Sequence, residues 1–163
     1  MKTQDYDETT IKDIPMQMVE AWNRGDARGF ASAFAEDADF IAFEGTHLEG
    51  RDHIVEFHQK LFDTVLKGTR LEAGVHFVRL LGPALAVMHG WATTTLPGQT
   101  NASPSRDSMQ LFVLTRRDGE WRVNAMLNAR KISLEQQQFA DEFATLSFRD
   151  QEAITHRVST LRH

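Results

Sequence analysis

Four long stretches in the second half of the chain, residues 70–81, 85–96, 106–117 and 120–131, carry the patterns of β-strands. Gly82-Pro83 separates the first two. Asp118-Gly119 separates the last two and is the strongest hairpin signal in the sequence. Between the middle pair, residues 96–105 read Leu-Pro-Gly-Gln-Thr-Asn-Ala-Ser-Pro-Ser, a polar loop. Sequential strands with such connections pair antiparallel, as a meander. Each stretch is about twice the usual strand length, so the sheet must bend strongly or overhang its core. Gly74 and Gly90 are the candidate bend or bulge points.

The first half supplies helices to cover that sheet. Residues 1–7 are polar and predicted to fray. From Glu8 onward Ile11, Ile14, Met18, Val19 and Trp22 recur at helical spacing and make one apolar stripe. Pro15 marks either the first turn of a helix capped by Asp13 or a kink. Gly25 is a left-handed C-cap, and Asp26 caps a short second helix bearing Phe30, Ala31, Ala33 and Phe34. Alternation over residues 37–43 predicts a short strand. The turn-rich run from Gly45 to Gly50 has room for a two-residue strand near His47-Leu48. Residues 51–66 form a third helix with Ile54, Phe57, His58, Leu61, Phe62 and Val65 on one face, stopped by Gly68. Ser133, with Gln136 as its capping-box partner, opens a helix from Leu134 to about Leu146, and a partly periodic segment follows over 147–163. The expected organisation is an α+β domain over 8–131 and a C-terminal helical extension over 132–163.

Composition removes several classes of function. A length of 163 residues suits one core, and a net charge of −5 without a basic cluster argues against a nucleic-acid partner. There is no cysteine, which excludes disulfides, thiolate metal sites and thiol nucleophiles. The acidic, polar N-terminus lacks the features of a signal peptide, and no apolar run approaches the ~20 residues of a membrane span. The expectation is a cytoplasmic protein with no membrane partner. The histidines are scattered. His53 and His58, five apart on a helix, diverge by well over ~90°, so no metal is expected. No Gly-x-Ser-x-Gly, P-loop or dinucleotide motif is present, and no cofactor is expected.

Several phrases occur in a specific order. Trp22-Asn23-Arg24-Gly25-Asp26 precedes Phe30, Phe34, Ala35-Glu36-Asp37-Ala38 and Phe40. Gly45 and Gly50 precede the helix with His58-x-x-Leu61-Phe62. Val78-Arg79-Leu80-Leu81-Gly82-Pro83 leads to Ala86-Val87-Met88-His89-Gly90. Leu114-Thr115-Arg116-Arg117-Asp118-Gly119-Glu120-Trp121-Arg122-Val123 leads to Asn128. Over residues 8–131 the chain resembles the nuclear-transport-factor-2-like (NTF2-like) superfamily. Within it, the resemblance is to SgcJ/EcaC-type small proteins, near the SnoaL-like cyclases and steroid-isomerase-like enzymes. The resemblance implies a cone-shaped, cystatin-like α+β fold, with three N-terminal helices packed on a strongly bent antiparallel sheet. It also implies a pocket at the open end and a homodimer built through the sheet. Such proteins include isomerases, cyclases, dehydratases, epoxide hydrolases and non-catalytic assembly modules.

The candidate chemistry follows from that pocket. His58, on the apolar face of the third helix, is either a proton-transfer group or a buried histidine held by the backbone. Asp39 is a second candidate base, since the steroid-isomerase-like relatives use a carboxylate in apolar surroundings. His89 and Trp91 share one face of a strand, as ligand contacts, dimer interface or core. Trp22, Phe34 and Phe62 are candidate apolar contacts. Gln110 and Arg79 flank strand centres, where either could orient a polar substituent; alternatively Arg79 pairs with Glu44 or Asp39. Asn128 matches a recurrent position of the resembling pattern, where an amide fixes either a carbonyl or a loop. The reading is a cofactor-independent isomerase, cyclase or lyase moving a proton on an apolar or aromatic small molecule that carries a carbonyl. The alternative is a non-catalytic binding or dimeric assembly module.

Overall fold

A computed structural model describes residues 3–131, with side chains from Asp7 onward. The helices expected over 133–163 lie outside the described residues. Helix α1 (Thr3–Asn23) is followed by the short α2 (Ala27–Ala31), strands β1 (Phe34–Ile41) and β2 (His47–Glu49), and helix α3 (Arg51–Asp63). Four long strands complete the order: β3 (Arg70–Gly82), β4 (Leu85–Thr95), β5 (Ser108–Arg117) and β6 (Glu120–Arg130). A single 3-10 turn, Pro104–Arg106, interrupts the loop between β4 and β5.

The N-terminus departs from expectation. Rather than fraying through residue 7, the chain is helical from Thr3, and α1 continues through Pro15. Asp7 anchors this end of α1 to the sheet. Its carboxylate is buried and accepts from Arg116 Nη1 at 2.9 Å and from Trp121 Nε1 at 3.1 Å. A buried carboxylate survives only with such partners. At the other end of α1, Asn23 behaves like a piece of strand. Its Oδ1 accepts from Leu71 N at 2.8 Å and its Nδ2 donates to Leu71 O at 3.1 Å, which fixes the helix end against the start of β3. Gly25 takes φ +67°, the left-handed C-cap, and Asp26 caps α2 by accepting from Gly29 N at 2.8 Å.

The six strands form one sheet in the order β2-β1-β6-β5-β4-β3. The long strands are an antiparallel meander, with Asp118 (φ 53°) and Gly119 (φ 83°) in the turn between β5 and β6. The expectation of an antiparallel sheet needs correction, because β1 runs parallel to β6 and the sheet is mixed. A strand from the first half must cross over helix α3 and the whole meander before meeting β6, and that route allows a parallel pairing. β1 also begins earlier than expected, which moves Phe34 from the end of the second helix into the strand.

Register shifts in β3 fall between Val75 and Phe77 and between Leu80 and Gly82. Gly74 and Gly90 are close-approach positions. A Cβ on Gly74 would lie 2.5 Å from Trp91 Nε1, and one on Gly90 would lie 2.8 Å from the Gly74 carbonyl oxygen. The helices cover one sheet face, α1 against β3 and α3 against β1 and β2. Phe34, Phe40, Leu48, Ile54, Met88, Phe112, Leu114 and Val123 are buried there. The opposite face carries Phe77, Leu85, Trp91, Met109, Leu111 and Leu127, all exposed.

Candidate ligand cavity

Between the helices and the inner sheet face lies a cavity of about 320 Å³. Helix α1 contributes Met18, Val19 and Trp22, and α3 contributes Phe57, His58 and Leu61. The sheet contributes Phe40 and Ala42 from β1, Ala92 and Thr94 from β4, Ser108, Gln110 and Phe112 from β5, and Met126 and Asn128 from β6. Glu44 and Arg106 are the charged residues of the lining.

His58 is 3% exposed and stands in an aromatic cage. Its ring centroid lies 4.3 Å from that of Phe30, 5.4 Å from Phe40, 5.6 Å from Phe57, 6.0 Å from Phe62 and 6.2 Å from Trp22. Nδ1 lies 2.8 Å from the Ile54 carbonyl oxygen one helical turn back. A carbonyl only accepts, so Nδ1 carries the proton and Nε2 is left as an acceptor. Burial among these rings lowers the imidazole from 6.5 to about 4, against the opposing effect of the Ile54 hydrogen bond. His58 is therefore neutral throughout the neutral pH range.

The other polar groups come from the strands. Gln110 and Asn128 are register partners on β5 and β6, so their side chains stand side by side on the inner face. Gln110 is 8% exposed. Asn128 Oδ1 is buried without a hydrogen-bond partner. Ser108 Oγ donates to Ala92 O at 3.3 Å. Trp22 Nε1 donates to Thr69 Oγ1 at 3.1 Å, which holds the indole as an apolar wall.

Of the candidates named from sequence, the cavity brings together Trp22, His58, Gln110 and Asn128. Others require correction. Asp39 faces away from the cavity, exposed, with Oδ1 2.6 Å from His47 Nε2, because alternation along β1 sends Phe40 inward and Asp39 outward. His89 and Trp91 are on the outer sheet face, paired with Leu111 and Met109. There His89 stacks on His76 at 5.1 Å and lies 5.4 Å from Phe77. Phe34 is fully buried, packed on Phe30 and Phe40. Phe62 supports the wall from behind, 5.1 Å from Trp22. Arg79 is on the outer face over the Phe77 ring, with Glu44 at the cavity and Asp39 paired to His47.

Residues that sequence reasoning missed include Phe40, Phe112, Met126 and Arg106. The signal for two of them was present: Phe112 follows Gln110, and Met126 precedes Asn128, by one strand period; Phe40 joins them only through the register of β1 on β6. Among the described residues no group of three or more His, Asp or Glu side chains could hold a metal ion, and no helix is long and apolar enough to cross a membrane.

A family model described as a SnoaL-like domain matches residues 16–124. Among solved structures, the chain is similar to a domain of unknown function with a cystatin-like fold from Nostoc punctiforme PCC 73102. The two share 49% identity over 99% of each chain, with a TM-score of 0.80. It is similar in fold to an NTF-2 like protein of unknown function from Shewanella oneidensis MR-1, at 16% identity over 74% of this chain and 97% of that one, with a TM-score of 0.63. A ketosteroid isomerase-like protein from Erwinia carotovora atroseptica SCRI1043 shares the fold at 15% identity, over 78% of this chain and 98% of that one, with a TM-score of 0.62. No curated protein matches. The architecture is a cystatin-like, NTF2-like α+β fold with a mixed six-stranded sheet.

Proposed function

The chain belongs to the SnoaL-like domain family of the NTF2-like superfamily, and on that premise we propose that it is a cofactor-independent isomerase, cyclase or lyase that moves a proton on a small, uncharged, mostly apolar carbonyl compound. The observation that carries this reading is His58, a neutral imidazole in the cavity wall whose tautomer is set by Ile54. Its Nε2 is a base that stays unprotonated at neutral pH. The rings of the cage leave His58 only 3% exposed, so bulk water competes little for its lone pair.

In this mechanism the amides Gln110 and Asn128 hold the oxygen. His58 stands over Phe40, which pairs with Met126, and Asn128 follows two residues on, ~7 Å along the strand. Charge developing on the oxygen would meet the Gln110 or Asn128 N–H in a dry site, where such bonds are strong. Asp39 has no part in this mechanism, because it faces outward.

The experiment begins with a thermal-shift screen of neutral aromatic, terpenoid and polycyclic ketones, since a ligand bound only by the folded state raises its stability. The ketone that binds is then incubated in D2O, and deuterium uptake at its α-carbon is followed by NMR. Wild type should accelerate uptake, and His58→Gln should do so at least about tenfold less. Binding without uptake would replace this mechanism by the second reading, a non-catalytic binding module. That reading is favoured by the apolar character of a cavity lined by Phe, Leu, Met and Trp side chains.

Self-association belongs to the same proposal. The exposed apolar outer face, with Trp91, Met109, Leu111 and Leu127 on adjacent strands, suits pairing with a second copy in the SgcJ/EcaC-type manner. Sedimentation should show a dimer at micromolar concentration and a monomer for Leu111→Glu. A wild-type monomer would remove the dimer.

A further inference from the structure

The two amides of the cavity carry information about the oxygen they hold. Gln110 and Asn128 are neighbours across β5 and β6, both line the cavity, and no hydrogen bond joins them. Asn128 Oδ1 is the one buried side-chain oxygen or nitrogen among the described residues that lacks a partner. It is an acceptor, so only a donor satisfies it. Three nearby groups do not pair with it: Ser108 Oγ is committed to Ala92 O, Trp22 Nε1 to Thr69, and Nε2 of His58 is itself an acceptor; the neighbouring Gln110 amide, its donors uncommitted, makes no bond to it either. Asn128 lines the cavity and its χ2 turns over a broad range at low cost, so Oδ1 is free to rotate toward a ligand there.

From this we propose that the preferred ligand presents a hydroxyl, enolic or phenolic, to the amide pair, donating to Asn128 Oδ1 and accepting from the Gln110 amide. The inference rests on the reading that this cavity takes an apolar ligand with its oxygen at the strand-borne amides. A ketone or an ether offers acceptors alone and leaves Oδ1 orphaned, whereas a hydroxyl donates and accepts at one atom. Pairing an acceptor that is otherwise buried without a partner strengthens binding by roughly tenfold. The cavity therefore discriminates oxygen chemistry on a common apolar skeleton, and it favours the enol form of a substrate over its keto form.

Three probes with one skeleton test this: 2-naphthol, 2-methoxynaphthalene and 2-acetonaphthone, titrated by calorimetry into the full chain. Wild type should bind 2-naphthol at least about tenfold more tightly than the ether and the ketone. Asn128→Leu should bind all three within about threefold of one another. Equal binding of the three probes by wild type would overturn the hydroxyl preference and leave the cavity reading standing. A naphthol preference that survives Asn128→Leu would also overturn it, by removing Asn128 as its source. No binding of any probe, with no stabilisation in the ketone screen, would overturn the cavity reading and this inference with it. The wild-type comparison stands even if the variant fails to fold.

Discussion

The two faces of the sheet are built from the same strands and lead different lives. On β5, Gln110, Phe112 and Leu114 point inward and are buried, while Met109, Leu111 and Val113 point outward, the first two 44% exposed. Both sets are apolar apart from Gln110. Alternation alone therefore divides the residues without saying which set is the core, and the helices decide. Histidine shows the same contrast. His58, under the helices, is sealed in an aromatic cage and shifted to about 4, whereas His76 and His89 stack on the uncovered face. Burial, and not residue type, keeps one of them uncharged at the cavity wall.

Substitutions at adjacent positions sharpen this comparison most. Phe112→Ala should destabilise the fold by about 3–5 kcal/mol in urea denaturation, through the cavity it leaves. Leu111→Ala, one residue away, should remain below about 1 kcal/mol at concentrations where the chain is monomeric. Equal effects would mean that the outer face is covered as well.

The histidine contrast is read by pH. The folded value of His58 lies below its unfolded value of 6.5, so between pH 6.5 and about 4 the unfolded chain binds the proton and the folded chain does not. Stability should therefore fall as the pH drops through that window, by up to about 3 kcal/mol. His58→Leu should flatten that dependence; an unchanged slope would show that His58 is not its source.

Glycine gives a smaller test. A methyl on Gly90 meets the Gly74 backbone carbonyl at 2.8 Å, which cannot move without disturbing the sheet. Gly90→Ala should cost about 1–3 kcal/mol. A methyl on Gly74 meets the Trp91 indole at 2.5 Å, but that side chain is 39% exposed and can swing outward. Gly74→Ala should cost less, and the reverse order would show that Trp91 is held in place.

The smallest effect is expected at the amide pair. Asn128→Leu removes an orphaned acceptor and should leave stability unchanged or raise it by up to about 1 kcal/mol. A clear loss would show that Asn128 is structural.

Much of the architecture was legible in the sequence. Period-two patterning and the Asp118-Gly119 turn placed the four long strands nearly to the residue, because those signals are local. Gly25 and Asp26 marked a helix end and a helix start for the same reason. The face of α3 that carries His58 was legible too, because helical periodicity fixes which residues share a side.

What the tertiary structure alone decided was everything that depends on residues far apart in the chain. Asp7 reads as part of a frayed terminus until Arg116 and Trp121 are brought beside it. β1 is a short strand with no stated direction until it lies parallel to β6. Asp39, His89 and Trp91 are pocket candidates until the inner face is identified, and only the packing of α1 and α3 identifies it. Periodicity is written in neighbouring residues, so one sequence determines it. The inward side, and the solitude of Asn128 Oδ1 on it, arise from long-range contacts that no local pattern records.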